Sequence, residues 1–165
     1  MRAALLLPLT LTACATSIRL PAAEQARFDP IAFFSSGSVG TGTIDQIFSD
    51  PKPLSVRSSG RTELGGGLTL TQQIREGSKP ERTRTWTMRA AAPGRYTGTL
   101  TEAVGPVTVT VEGPRAIIDY RMKDGLAVRQ QLALQADGRT LLNHLVVTKW
   151  GIRVATVRET IRRVN

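Results

Sequence analysis

Residues 82–88 alternate between threonines and four larger side chains with distinct chemistry. The larger residues, which a β-strand would place on one face, are Arg82, Arg84, Trp86 and Met88. A planar guanidinium pairs with two oxygens of a carboxylate or phosphate, whereas an indole and a thioether contact apolar chains. If this face points inward, it indicates an apolar cavity with a basic mouth, suited to an acyl chain with an anionic head. If it points outward, Trp86 is a surface aromatic among solvated charges.

Four other polar residues are candidates for lining the same cavity: Gln72, Tyr96, Gln130 and His144. A structural role in the wall is the simpler interpretation for each of them. His144 is the single histidine of the chain, and it shares a strand face with Leu142 and Val146. A half-buried histidine with one hydrogen bond would explain it without any ligand.

Little in the sequence points to catalysis. No G-x-S-x-G motif accompanies the histidine, and no spacing pairs the available carboxylates, which are Glu63, Glu76, Glu102 and Asp119. One cysteine and one histidine exclude a Cys-rich or His-rich metal site. The glycine-rich runs lack the lysine and following helix of a phosphate-binding loop, so they indicate turns and strand bends. We therefore expect no metal, no cofactor and no catalytic residue, and an enzyme acting on lipid or glycan is the minor alternative.

The N-terminus has the pattern of a lipoprotein export signal. Its apolar stretch is far shorter than the roughly 20 residues that span a bilayer, and it has the length of a secretory signal core. It ends in Leu-Thr-Ala-Cys, which resembles a lipobox, so we expect a signal peptide over residues 1–13 and a lipid on Cys14. A chance cysteine in an ordinary signal peptide is the alternative. Ala15 replaces the aspartate that retains lipoproteins at the inner membrane, which points to the outer membrane facing the periplasm.

Length and charge limit the domain organisation and the partners. The chain has 165 residues, enough for one domain, and a formal charge of +9 from 22 Lys and Arg against 13 Asp and Glu. A lipid-anchored envelope protein does not meet nucleic acid, so we expect anionic lipid headgroups rather than nucleic acid as the source of phosphate. Residues 14–27 are predicted to hold the lipidated cysteine and a flexible tether. Residues 28–165 are predicted to form the single domain.

A short helical turn is predicted where the domain begins. Asp29 suits the N-cap and Pro30 suits the first helical position. Phe28, Ile31 and Phe34 would then share one face. We expect this turn to plug one end of the fold.

From residue 38 onward, short runs alternate apolar and polar side chains, as half-buried strands do. One example is Val107, Val109 and Val111, separated by polar residues. Turn residues separate the runs, and the Asp-Gly pairs at 124–125 and 137–138 predict hairpins whose two central residues both have positive φ. The last segment, residues 152–164, fits a helix or a strand, and its β-branched content favours a closing strand.

The pattern predicts an all-β fold of roughly nine or ten strands joined by short turns. Short turns favour antiparallel neighbours and an up-and-down meander. A meander of this length must protect its edges, and closure into a barrel of about 8–10 strands does so. A two-sheet sandwich is the alternative.

Several short motifs follow one another in a fixed order. They are the lipobox, Phe-Asp-Pro-Ile-Ala-Phe-Phe at 28–34, Gly-Arg-Tyr-Thr-Gly-Thr at 94–99, Val-Gly-Pro at 104–106, Asp-Tyr at 119–120 and Lys-Trp-Gly-Ile-Arg at 149–153. Together they resemble a family of uncharacterised Gram-negative lipoproteins, domain of unknown function 3833, over about residues 28–163. The resemblance implies a lipocalin-like barrel and brings no catalytic residues.

Trp150 follows Lys149 near the last turn. With Arg153 it is expected to seal a barrel end, as an aromatic residue near an arginine does in lipocalin-like folds, and dipping into a membrane interface is the alternative. The leading hypothesis is a lipid-anchored barrel that binds or carries a small amphiphile or lipid. The second hypothesis is a structural or interaction lipoprotein with a packed core.

Overall fold

The computed structural model describes residues 18–164, so the expected signal peptide and Cys14 lie outside the described residues. One short helix and ten strands make up the described chain, with a 3₁₀ turn at Lys123–Gly125. Their bounds are α1 Pro30–Phe34, β1 Ser38–Gln46, β2 Lys52–Thr62, β3 Leu68–Glu76, β4 Arg82–Ala92, β5 Arg95–Leu100, β6 Val107–Glu112, β7 Arg115–Arg121, β8 Leu126–Leu134, β9 Thr140–Lys149 and β10 Ile152–Arg163. Within residues 18–164, no helix has the length and hydropathy needed to cross a membrane.

The ten strands form one closed antiparallel barrel. Each strand pairs with its neighbours in the chain, and β1 closes the ring by pairing with β10. The predicted all-β meander is confirmed, and the sandwich alternative is wrong. The last segment is a strand because β10 bonds to β9 on one side and to β1 on the other, which leaves no free edge.

Side chains alternate between the inside and the outside of the barrel, as the sequence pattern predicted. In β6, for example, Val107 and Val109 are buried and Thr108 and Thr110 are exposed. The inward residues of one half of the barrel form a packed core that includes Leu68, Leu70, Trp86, Met88, Ile118, Leu132, Leu141 and Ile161. Full burial of such a side chain contributes about 1.5–3 kcal/mol, so this half supports the rest of the barrel.

Helix α1 plugs the end of the barrel where β1 begins and β10 ends, and we call this the closed end. Asp29 is the N-cap, as predicted, and its Oδ1 accepts the backbone N–H of Ile31 at 2.9 Å. Phe33 and Phe34 are buried, with ring centroids 4.9 Å apart. The helix lies close to β2, where a Cβ on Gly60 would collide with the carbonyl oxygen of Phe34. The opposite end, where β9 turns into β10, is the open end.

The two Asp-Gly pairs differ in conformation. Asp124 and Gly125 both have positive φ, at 61° and 73°, so the predicted turn between β7 and β8 is confirmed. At the second pair Gly138 has a φ of 63° but Asp137 does not share that conformation. Instead, Oδ1 of Asp137 accepts the backbone N–H of Thr140 at 2.9 Å. The connection from β8 to β9 is therefore a longer loop stabilised by the aspartate.

Residues 18–24 lie against the outside of the barrel, whereas Phe28 belongs to the buried core. The backbone N–H of Ala23 donates to the carbonyl of Leu134 at the end of β8, at 2.9 Å. Glu24 pairs with Arg115 of β7 at 2.7 Å. Residues 18–27, predicted to belong to a flexible tether, therefore have hydrogen-bond and ion-pair partners on the barrel wall that their composition alone did not indicate.

Candidate ligand-binding site

The open half of the barrel encloses a cavity of about 690 Å³. This volume lies within the range of roughly 300–1,000 Å³ typical of small-molecule sites. Its wall is mainly apolar and includes Ile44, Leu54, Val56, Ile74, Leu100, Met122, Val128, Leu145, Val147 and Val157. These residues come from strands all around the barrel, so the cavity is a property of the closed fold rather than of one local motif.

Arg84 forms the floor of the cavity and belongs to a bonded cluster with two other predicted residues, Gln72 and Trp86, which do not line the cavity. Gln72 and Arg84 face each other across β3 and β4, and Trp86 follows Arg84 on the same face. Oε1 of Gln72 accepts the Nε–H of Arg84 at 2.8 Å and the Nε1–H of Trp86 at 2.7 Å. Nε2 of Gln72 donates to the hydroxyl of Ser58 at 3.0 Å. The face of Arg82, Arg84, Trp86 and Met88 therefore points inward, the first of the two alternatives.

Arg84 holds a charge inside the barrel without a direct counter-ion. Among residues 18–164, no carboxylate lies within ion-pair distance of its guanidinium, and Nε is its sole hydrogen-bonded nitrogen. Burial lowers the pKa of Arg84, partly offset by the charges of Tyr120, Glu102 and Glu159. Since an arginine stays protonated at neutral pH, its terminal nitrogens remain donors available to the cavity.

Glu159 of β10 lies opposite this cluster and was missed in the sequence. It is 9% exposed, and its Oε2 accepts the Nδ2–H of Asn143 at 2.8 Å. Burial raises the pKa of Glu159, although Asn143 and Arg84 favour its charged form. Gly40 makes room for it, because a Cβ there would collide with the Glu159 carboxylate. The signal was a lone acid on a face otherwise occupied by Val157 and Ile161.

A second, much smaller void of about 40 Å³ lies beneath the floor, next to α1. The predicted residues Gln72, Trp86, Met88 and Gln130 line this void rather than the main cavity. Oε1 of Gln130 is buried and has no hydrogen-bond partner in the described part of the chain. Arg84 and Glu159 line both spaces, so they form the partition between the cavity and the packed core.

The cavity mouth is charged but not simply basic. Arg82 pairs with Glu76 at 2.9 Å and with Glu102 at 2.6 Å, and Lys79 also pairs with Glu76 at 3.0 Å. Burial raises the pKa of Glu76, but the hydrogen bonds from Arg82 and Lys79 outweigh it, and the net pKa is lowered. The expectation of a basic mouth is therefore wrong. The fold brings Glu76 and Glu102, which are far from each other in the sequence, to the same arginine, Arg82.

Two other predicted cavity residues lie elsewhere. Tyr96 packs against the core beside α1, where burial and the charge of Asp29 raise its pKa. His144 points outward, because its neighbours Asn143 and Leu145 line the cavity. It is nonetheless 6% exposed, and burial together with the nearby Arg158 and Arg153 lowers its pKa. The prediction that His144 lines the cavity is wrong.

Trp150 does not seal the barrel. It lies in the turn between β9 and β10 at the open end and is 85% exposed. Its ring is 4.9 Å from Nζ of Lys149, and Arg153 is also exposed. The expected seal by Trp150 and Arg153 is therefore wrong: the phenylalanines of α1 close one end, and the other end stays open.

A closed, ten-stranded antiparallel barrel with an internal cavity and a helical plug is a lipocalin-like barrel. The chain belongs to the family described as "Protein of unknown function (DUF3833)", whose family model matches residues 8–163. The resemblance found in the sequence motifs is thereby confirmed. A comparison with curated proteins finds no match.

Solved structures with the same fold come from distant sequences. An S-type phycobiliprotein lyase, CPES, from Guillardia theta is 7% identical, with a TM-score of 0.64 over 82% of this chain and 90% of that chain. Rv2717c from M. tuberculosis is 17% identical, with a TM-score of 0.65 over 83% and 99%. A protein of unknown function of the DUF3598 family from Nostoc punctiforme is 14% identical, with a TM-score of 0.60 over 86% and 51%. At these identities the likeness supports the fold alone.

Proposed function

We propose that the barrel binds a small amphiphile whose anionic head reaches Arg84 on the cavity floor and whose apolar chain extends toward the open end. The observation that carries the proposal is a guanidinium at the bottom of an apolar cavity of about 690 Å³, with no ion-pair partner among the described residues. Holding a charge away from water is costly unless it is paired. A carboxylate or phosphate supplies that pairing through two parallel hydrogen bonds.

The orientation follows from the charges at the two ends of the cavity. Glu76 and Glu102 already neutralise Arg82 at the mouth, so an anionic head gains little there. Arg84 has no such partner, and the rest of the cavity wall is mainly apolar. An acyl chain would lie along that wall and lose its contact with water.

The alternative of a packed core fits the structure less well, because the open half of the barrel holds a cavity rather than side chains. An enzymatic role has one observation behind it: a barrel of this shape is a phycobiliprotein lyase in Guillardia theta. In this chain the cavity carboxylates Glu76 and Glu102 are held by Arg82, and the third, Glu159, accepts from Asn143. We therefore favour binding or carrying over catalysis.

Titration with dodecanoate and 1-dodecanol tests the proposal. The two probes share a chain and differ in the charge of the head. Arg84→Met is expected to weaken dodecanoate binding about 10–100-fold, as loss of charge-assisted hydrogen bonds does, and to leave 1-dodecanol binding nearly unchanged. Arg89→Met is the matched control, because Arg89 is exposed on the same strand.

Leu145→Trp tests the chain-binding part separately. Leu145 lines the cavity, and a larger side chain there would occupy the volume that the acyl chain needs. Both probes are expected to lose affinity, while Val146→Trp on the outer face leaves both unchanged. If neither probe binds the unmodified protein, or if Arg84→Met affects both probes equally, the proposal fails.

The proposal places the barrel at a membrane through a lipid on Cys14, most simply at the outer membrane facing the periplasm, because Ala15 follows the cysteine. Growth of a Gram-negative host with alkyne-tagged palmitate tests this. The full chain is expected to take up the label and to sediment with outer-membrane vesicles. Label that persists in Cys14→Ser would contradict the assignment.

A further inference from the structure

Four large apolar side chains are exposed to solvent on one side of the open end. Ile47 and Phe48 lie in the β1–β2 loop and are 50% and 101% exposed, and Trp150 and Ile152 of the β9–β10 hairpin are 85% and 66% exposed. We call these four residues the apolar rim. The two loops are neighbours, since the backbone N–H of Ile47 donates to the carbonyl of Val154 at 3.1 Å. Exposed clusters of large apolar residues mark interaction sites more often than chance.

The backbone at the rim is held in an unfavourable conformation. Phe48 has a φ of 62° and Trp150 a φ of 50°. A bulky residue in the left-handed region is strained, and glycine would relieve this strain. Asp124 is the third non-glycine residue with positive φ in the described chain, and aspartate tolerates that conformation well. At both rim positions an aromatic side chain therefore stands where a smaller residue would suit the backbone better.

The charges around the rim match a lipid surface. Lys149 and Arg153 flank Trp150 in the β9–β10 hairpin, and residues 149–153 contain no acid. In the β1–β2 loop Asp50 is balanced by Lys52. A tryptophan between cations suits the headgroup region of a bilayer, where the ring contacts the acyl boundary and the cations meet phosphates.

We propose that the apolar rim inserts into the interfacial region of an anionic lipid bilayer, so that the open end of the barrel faces the membrane. Ile47 and Val154 also line the cavity, so a docked rim would hold the cavity mouth at the lipid surface. This extends the proposed function, which would draw its amphiphile from that surface. The docking itself requires only the rim and the charges beside it.

Fluorescence quenching by brominated lipids tests the insertion. The full chain is bound to vesicles of phosphatidylcholine and phosphatidylglycerol with brominated acyl chains, and binding is verified by co-flotation. The protein has two tryptophans, so the difference between the unmodified protein and Trp150→Phe isolates the Trp150 signal. That signal is expected to be quenched, whereas Trp86, enclosed in the barrel, is not.

Matched variants at the two ends of the barrel complete the test. Phe48→Ser combined with Ile152→Ser is expected to abolish quenching of Trp150. Leu64→Ser is the control, because Leu64 is 105% exposed in the β2–β3 loop at the closed end. The proposal is overturned if the protein does not float with the vesicles or if Trp150 is unquenched in vesicle-bound protein. An equal loss of Trp150 quenching in Leu64→Ser would also overturn it. If Trp150 is unquenched, the apolar rim would instead point to a protein partner.

The two proposals fail separately. Arg84→Met is expected to leave quenching of Trp150 intact while it weakens dodecanoate binding. The double rim variant is expected to leave dodecanoate binding in solution intact while it abolishes quenching. Far-UV circular dichroism verifies that each variant keeps the sheet.

Discussion

The guanidinium carbon of Arg84 lies 5.3 Å from the ring centroid of Trp86, two residues along the same strand. Both side chains also donate to one oxygen of Gln72, at 2.8 and 2.7 Å. The cation is thus held by a ring, an amide and the strand itself, and the Trp86 ring is in turn packed edge-on against Tyr120, with centroids 5.7 Å apart. Such a fixed arginine loses little freedom when an anion binds, which favours affinity.

Replacement of Gln72 by leucine is expected to lower the free energy of unfolding by about 1–3 kcal/mol, the cost of leaving buried donors unsatisfied. The donors left without an acceptor are the Nε groups of Arg84 and Trp86. Urea denaturation followed by circular dichroism measures the change. Gln73→Leu is the control on the exposed face of the same strand, and an equal loss there would show that the bonded cluster has no special role.

Glu159→Gln is expected to stabilise the protein at neutral pH and to remove part of its pH dependence. Burial raises the pKa of Glu159 above the ordinary value of 4.5, so the folded protein holds a proton that the unfolded chain has released. Stability therefore falls as pH rises from about 4.5 toward the raised pKa. A glutamine cannot ionise and still accepts from Asn143. Denaturation midpoints measured across that pH range test this, with Glu112→Gln as the control. The prediction fails if the midpoint of Glu159→Gln falls with pH as steeply as that of Glu112→Gln.

The single histidine makes a second pH effect measurable at one site. Burial, Arg158 and Arg153 lower the pKa of His144 below the ordinary value of 6.5. The unfolded chain therefore takes up a proton before the folded protein does, and stability falls as pH drops below about 6.5. NMR titration of the imidazole is expected to give a lowered pKa that rises in Arg158→Gln. An unchanged pKa in that variant would rule out the charge effect.

Gly40→Ala is expected to displace Glu159 and to be rescued by shortening it. A Cβ at residue 40 meets the end of the Glu159 side chain, whereas a Cβ at Gly42 meets the backbone carbonyl of Arg158. In a double-mutant cycle, Glu159→Ala should restore stability to Gly40→Ala but not to Gly42→Ala. Thermal unfolding measures the coupling, and the absence of rescue at residue 40 would show that the contact is not limiting.

Local pattern sufficed for the strands, the capped helix and the closed meander. Period-two alternation shows which residues of a strand share a face, but it does not show which face points into the barrel. The sequence therefore left open whether Trp86 points in or out. That choice is made by register: Trp86 faces Leu70 across β3 and β4 and Leu100 across β4 and β5. Register depends on pairing between segments that local pattern does not encode.

His144 and Glu159 were misjudged for related reasons. Leu142 and Val146 gave the histidine an apolar face, but that face is the outer wall, where Ile18 lines the same hollow as His144. Glu159 lies among arginines in the sequence, where an acid resembles part of a solvated surface. Its burial depends on a hollow left by Gly40 on the neighbouring strand, and no signal within β10 records that hollow.

The packing of residues 18–28 against the barrel limits the distance between the barrel and a lipid on Cys14. Three residues separate Ile18 from Cys14, so their Cα atoms are at most about 14 Å apart. From His144, beside Ile18, the wall runs five residues to Lys149 at the open end, about 17 Å along the strand and less along a tilted barrel axis. A lipid on Cys14 would therefore hold the barrel close to the bilayer while allowing it to rotate. The barrel could rotate until its open end contacts the leaflet that carries the lipid, and it could not reach the opposite membrane.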